Sequence, residues 1–198
     1  MKHRHLEIFA VIATPLLALW ALVLASSGID LAGVFAVICG YVMADFFCGA
    51  IHWYCDEAAD ASWKWIGPAF IRPFRDHHVR PEAITEHDIF ELCGNNAIVS
   101  MVMLGVTLPW AVFAPHLAIG VVGLAIAVFA TNIFHSWAHT VSPPLIVRAL
   151  QKTRAVLSPD EHSRHHALLD RAYCVTNGWT NPILDAAIRR VRSRDRRG

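Results

Sequence analysis

Nine histidines fall in four short clusters: His52; His77, His78 and His87; His135 and His139; and His162, His165 and His166. Neutral imidazole is the commonest metal ligand in proteins and suits iron, copper and zinc. Nine rings exceed what one closed four-ligand zinc site can use, whereas two metal ions would use them well. His162, His165 and His166 follow an i, i+3, i+4 pattern, which turns their rings to one side of a helix. Asn132, His135 and His139 are separated by three and four residues, and Asp45, His52 and Asp56 by seven and four, so each trio shares a helical face. Asp45, Asp56, Asp76, Asp88, Glu91 and Asn132 are candidates to orient the ligating rings through hydrogen bonds. Asp45 stands within an apolar run, where an ionisable group is costly and functional by default. His3, His5 and His116 stand apart and read as hydrogen-bonded residues near a membrane interface.

Several metal chemistries fit poorly. A zinc protease of the HExxH type is excluded because that motif is absent. The soluble four-helix di-iron proteins rely on bridging carboxylates, and here imidazoles dominate. Bis-histidine haem ligation would need rings at matched depths on facing helices, and ion transport would need ligands through the membrane interior. Instead, every cluster falls at or beyond the same ends of four apolar runs. Iron working with dioxygen fits best. The competing class is a non-enzymatic membrane protein that binds metal or haem.

The elements that must position these rings are membrane helices. The chain has 198 residues, 55% of them hydrophobic and 17% charged, with a mean hydropathy of +0.41. Four runs, about 6–26, 31–53, 97–113 and 117–139, approach the length that crosses a bilayer. A second span follows the first after a few residues, so the first is read as a span and not a cleaved signal. All 17 Lys and Arg lie at the N-terminal tip, in the loop 55–96 or in the tail 140–198. The two short connections carry none, which predicts cytoplasmic termini and a cytoplasmic site. The fold expected is an all-α membrane protein, one domain over residues 1–198, with four transmembrane helices and a cytoplasmic histidine-rich helical cap. Pro15 and Pro109 are expected to kink their spans, and the five cysteines show no CxxC pair and no disulfide pattern.

Three helices are predicted in the tail. Residues 144–157 mix apolar and basic side chains, as in a helix lying in a membrane surface. Ser158-Pro159-Asp160-Glu161 is a helix start with a serine cap, and it precedes the last histidine cluster. Asn181-Pro182 opens a third helix, and six arginines between Arg189 and Arg197 suit contact with anionic headgroups.

These residues resemble a known family. Asp45-Phe46-x-x-Gly49-x-x-His52-Trp53-x-x-Asp56, then Phe74-Arg75-x-His77-His78-x-x-Pro81 and His87-Asp88, are similar to the Kua-type lipid desaturases. So are Asn132-x-x-His135-Ser136-Trp137-x-His139, His162-x-x-His165-His166, and Tyr173-Cys174-Val175-Thr176-x-Gly178-Trp179-x-Asn181. That family includes desaturases that make the vinyl ether of plasmalogens and a plastid type acting near the carboxyl end of a phosphatidylglycerol acyl chain. The resemblance implies that the nine histidines bind a di-iron centre, with O2 as co-substrate. It also implies an ether phospholipid substrate and an electron donor such as cytochrome b5 or a ferredoxin-like protein; nucleic acid is not an expected partner. Two stretches depart from the family pattern, Glu57-Ala58-Ala59-Asp60 and Ala167-Leu168-Leu169-Asp170, which places the difference near the substrate entrance. His52 and His139 close their spans at headgroup level, within easy reach of the first chain carbons beside glycerol. The expected activity is therefore plasmalogen vinyl ether formation, with acyl desaturation or hydroxylation near the carboxyl end as the alternative.

Overall fold

The computed structural model describes residues 4–195. Lys2, His3, Arg196 and Arg197 lie outside them. Among these residues eight α-helices form the frame: α1 (Arg4–Leu24), α2 (Leu31–Trp53), α3 (Arg72–Val79), α4 (Ile89–Thr107), α5 (Pro115–His139), α6 (Leu145–Lys152), α7 (Pro159–Leu168) and α8 (Asn181–Asp195). No strand occurs among the described residues. α1, α2, α4 and α5 are long and apolar enough to cross a membrane. The chain divides into two compact units, residues 1–44 with 87–133 and residues 45–86 with 134–198. Thus α2 and α5 give their first residues to one unit and their last to the other.

The first unit has the packing expected in lipid. Its buried positions are mostly small, including Ala10, Ala18, Ala21, Ala97, Ala118 and Ala125, while Phe9, Leu16, Leu19, Phe35, Val102 and Val106 are exposed. Large apolar side chains on the outside gain nothing in water but are at home among acyl chains, and small residues inside let helices approach closely. Side chains also tie helices through backbone carbonyls: Thr14 Oγ1 donates to Ala97 O (3.1 Å) and Ser100 Oγ to Ala125 O (2.8 Å). At Gly40 the approach of α2 to α5 is so close that a Cβ would meet Gly120 O at 2.2 Å and Leu124 N at 2.7 Å. Gly40→Ala should therefore destabilise the fold by about 1–3 kcal/mol. A thermal unfolding midpoint equal to the parent's would contradict this packing.

One span begins earlier than the sequence suggests. Glu91, Asn95 and Asn96 make the stretch before Ala97 look like loop, yet α4 starts at Ile89. Asp88 caps it, accepting from the N–H groups of Phe90 (2.9 Å) and Glu91 (3.0 Å), and also pairs with Arg4. Asn96 then becomes tolerable inside the helix because its Nδ2 donates to Val128 O of α5 at 2.9 Å. Pro15 sits within an unbroken α1, whereas Pro109 falls in a 3₁₀ turn, Leu108–Trp110, that ends the α-helical part of the third span. Exposed His116, in the first turn of α5, pairs with Asp30 at 3.0 Å.

Candidate metal centre

The second unit gathers eight of the nine histidines. His52 lies in the last turn of α2, which ends at Trp53, and the backbone then widens into a π-helical turn, Tyr54–Ala58, that carries Asp56. Such turns recur at functional sites because the extra residue re-aims side chains. A second π turn, Gly67–Ile71, leads into α3, which holds His77 and His78. His135 and His139 close α5. Ser158 caps α7 through Oγ, which accepts from Glu161 N–H at 3.3 Å, and α7 presents His162, His165 and His166.

The rings converge on two centres. In the first, one ring nitrogen each from His77, His135, His139, His162 and His166 lies within 4.8 Å of all the others. The Nε2–Nε2 separations are 2.8 Å (His135–His162), 2.7 Å (His139–His162), 2.9 Å (His162–His166), 3.1 Å (His77–His139) and 3.2 Å (His77–His166). Hydrogen bonds cannot account for this. His162 Nε2 faces three nitrogens, and a neutral ring has one proton to donate. Around a metal with bonds of about 2.0–2.1 Å, adjacent ligand nitrogens sit roughly 3 Å apart, which matches. Burial first, and then the proximity of His139 and His166, pushes His77 down to about 2, and burial pushes His166 down to about 3. His162 also falls well below the ordinary imidazole range through burial. These rings are held neutral, the form that ligates.

The second centre has His52, His78, His165 and Asp56, again with donor atoms within 4.8 Å. Asp56 Oδ2 lies 3.0 Å from His78 Nε2, 3.2 Å from His52 Nε2 and 3.5 Å from His165 Nε2. The last two contacts lack the alignment of a hydrogen bond, and both nitrogens are buried without another partner. The reason lies on the other side of each ring. His52 Nδ1 donates to Tyr173 O and His165 Nδ1 to Arg171 O, each at 3.0 Å. A carbonyl only accepts, so these rings carry their proton on Nδ1 and turn an Nε2 lone pair towards Asp56. Lone pairs facing a buried carboxylate repel unless a cation lies between them. Both donor sets therefore fit metal ions, and none of the five cysteines joins either.

Other expected site residues take different work. Asp45, fully buried, accepts from the N–H groups of Asn177, Gly178 and Thr180 at 2.9 Å each and from Thr180 Oγ1 at 2.7 Å. It braces the segment whose Tyr173 carbonyl holds His52, one step further from the rings than the sequence suggests. Asp56 lies among the donors themselves, closer than an outer hydrogen-bond partner. His87 belongs to the first unit, where its Nδ1 lies 3.4 Å from Glu91, and neither donor group includes it. Asn132 donates to Leu92 O at 2.8 Å within that unit, Asp88 caps α4, and Asp76 is exposed. Sequence reasoning missed the carbonyls of Tyr173 and Arg171 as ring partners, although Tyr173 opens a motif shared with the resembled family.

Acidification should unload this site. The unfolded chain protonates its histidines near pH 6.5, while the buried rings resist down to about 2–3. The unfolded state thus binds more protons below about pH 6.5, and stability is lost as pH falls through that window. Metal-stripped protein should melt at a lower temperature at about pH 5 than at about pH 7, and the loaded protein should release metal over the same interval. Identical melts at both values would contradict neutral burial of these rings.

Membrane-length helices with a buried polyhistidine site define a class, the histidine-rich integral membrane proteins. The chain belongs to the lipid desaturase family, whose domain matches residues 41–190. It is 38% identical over 193 residues to a plasmanylethanolamine desaturase of Myxococcus xanthus, covering 91% of this chain and 67% of that protein. It is 33% identical over 162 residues to plasmanylethanolamine desaturase 1 of Mus musculus (77% and 60%) and 32% over 152 residues to fatty acid desaturase 4, chloroplastic, of Arabidopsis thaliana (74% and 46%). The chain thus spans between about half and two thirds of these relatives' lengths. No solved structure matches it.

Proposed function

We propose that the protein is a di-iron, oxygen-dependent lipid desaturase that forms the vinyl ether bond of plasmalogens from a plasmanylethanolamine. The observation that carries this reading is the pair of donor sets, five imidazoles in one and three with Asp56 in the other. His77, His135, His139, His162 and His166 would hold one iron, and His52, His78, His165 and Asp56 the other. When bound, the irons supply the oxidising power that an unactivated C–H bond demands. The balanced reaction removes two hydrogens from adjacent chain carbons and consumes O2, two electrons and two protons, giving the alkene and two waters.

The chain's own part is positional. The Tyr173 and Arg171 carbonyls fix the tautomers of His52 and His165, Asp45 braces the segment carrying Tyr173, and burial keeps the rings neutral and dry. Electrons come from a partner such as cytochrome b5 or a ferredoxin-like protein, because the sequence has no flavin or nicotinamide fingerprint. The whole chain works as one desaturase domain, with both termini and the site on the cytoplasmic side, as the basic residues suggest. His52 and His139 lie in the last turns of their helices, which favours the chain carbons next to glycerol. Identities of 38% and 33% to two plasmanylethanolamine desaturases support the ether substrate. The 32% identity to the Arabidopsis fatty acid desaturase keeps a second reading, an acyl-lipid desaturase or hydroxylase acting near the carboxyl end.

Expression in a host that makes saturated ether lipids tests the proposal. Acid-labile vinyl ethers should accumulate. Their absence, with metal bound and a working electron donor present, would overturn it, and a new acyl double bond would select the second reading.

A further inference from the structure

A second cavity in the same unit is built for a charged ligand. It is a half-open cavity of about 450 Å³ between the segment after α6, α7 and the start of α8. Arg154 and Arg164 stand on its wall opposite no net surplus of charge, since Glu161 and Asp185 line it too. Glu161 is engaged by Arg164 at 3.0 Å and by Asn181 Nδ2 at 2.9 Å. Asn177 is 2% exposed. Its amide oxygen accepts from Trp179 N–H at 2.8 Å, which leaves Nδ2 as a buried donor without a partner. That donor is sealed from the open cavity, so Asn177 shapes the wall through its contact with Trp179 and is not itself a ligand contact. Arg154 adds a guanidinium on a left-handed backbone (φ 56°), a conformation where glycine is the default and a side chain persists at a cost.

From these groups we infer that the cavity binds a zwitterionic phosphoethanolamine headgroup: Arg154 takes the phosphate, and Asp185, Glu161 and the Trp179 ring take the ammonium. The matched charges argue for a zwitterion over a free anion, which would leave two carboxylates facing it. Guanidinium suits phosphate, and an indole face suits an ammonium. Trp179 is 48% exposed and Ile183, four residues on in sequence, 65%. Exposed indole and aliphatic side chains next to arginines mark headgroup level and favour a lipid over a solute. The segment from Tyr173 to Asn181 connects this cavity with the donor sets. Tyr173 holds His52, and four residues later Asn177 lines the cavity, at most about 14 Å of extended chain away. One lipid molecule can reach both. The inference rests on the lipid substrate proposed above and adds its headgroup contact.

The test uses the full metal-loaded chain in nanodiscs of choline lipids, with ³¹P line broadening to follow soluble glycerophosphoethanolamine. The parent should bind it, and Arg154→Gln should weaken binding roughly tenfold, as for loss of one partly hydrated charge-assisted bond. Arg189→Gln, an exposed arginine on α8 outside the cavity, serves as control and should bind like the parent. In turnover, Arg154→Gln should raise KM for ethanolamine ether lipid by a similar factor with kcat and metal content unchanged. Equal binding by Arg154→Gln would overturn the inference. So would equal binding of glycerophosphocholine, or displacement by an equal concentration of inorganic phosphate, which would identify a plain phosphate site. If no lipid is turned over, the desaturase reading fails, and the headgroup titration still decides this one.

Discussion

His162→Ala is expected to lower turnover by more than about 100-fold and to remove metal from the five-histidine centre. The ring is 2% exposed, and its Nε2 lies between 2.7 and 2.9 Å from the nitrogens of His135, His139 and His166. No other ring in that set has three such close neighbours among the nitrogen pairs above. Even residues that only hydrogen-bond to ligands cost roughly 10–100-fold in metal affinity or activity when changed, so a central ligand should cost more. Metal content and product formation should fall together. A variant that kept both would show that the convergence of rings is packing and not ligation.

Asp56→Asn should reduce bound metal from two ions to one and lower turnover by about 100-fold or more. The amide keeps the volume, so the effect isolates charge. Asp56 Oδ2 is the one anionic donor facing His52, His78 and His165. The amide can still present an oxygen, but it cannot offset the charge of a cation held by buried neutral rings. The five-histidine centre should retain its ion, and retention of both would return Asp56 to an outer role.

Much of this arrangement was legible in the sequence, for physical reasons that differ by element. Helical spacing placed His162, His165 and His166 on one helix, where His162 and His166 face one donor set and His165 the other, and the Ser158-Pro159 start was readable because a serine cap before proline has few other uses. Apolar length identified four spans. The start of α4 was hidden because Asn96 looks polar until its partner, a carbonyl of α5, is known. The i, i+4 spacing put Asp56 on the face of His52, but only the π turn after Trp53 shows that it reaches the ring nitrogens. Tyr173 and Arg171 act through backbone carbonyls, which carry no residue signature, so no motif could assign them. Asp45 was rightly singled out as costly, yet its partners are the N–H groups of a turn 132 to 135 residues away. His87 shares a cluster with His77 and His78 in sequence and stands in the other unit.

The most direct measurement is the metal-to-chain ratio of purified protein loaded with iron and freed of loosely bound ion. Two equivalents are expected, falling to one in Asp56→Asn. One equivalent or none in the unmodified chain would contradict the account.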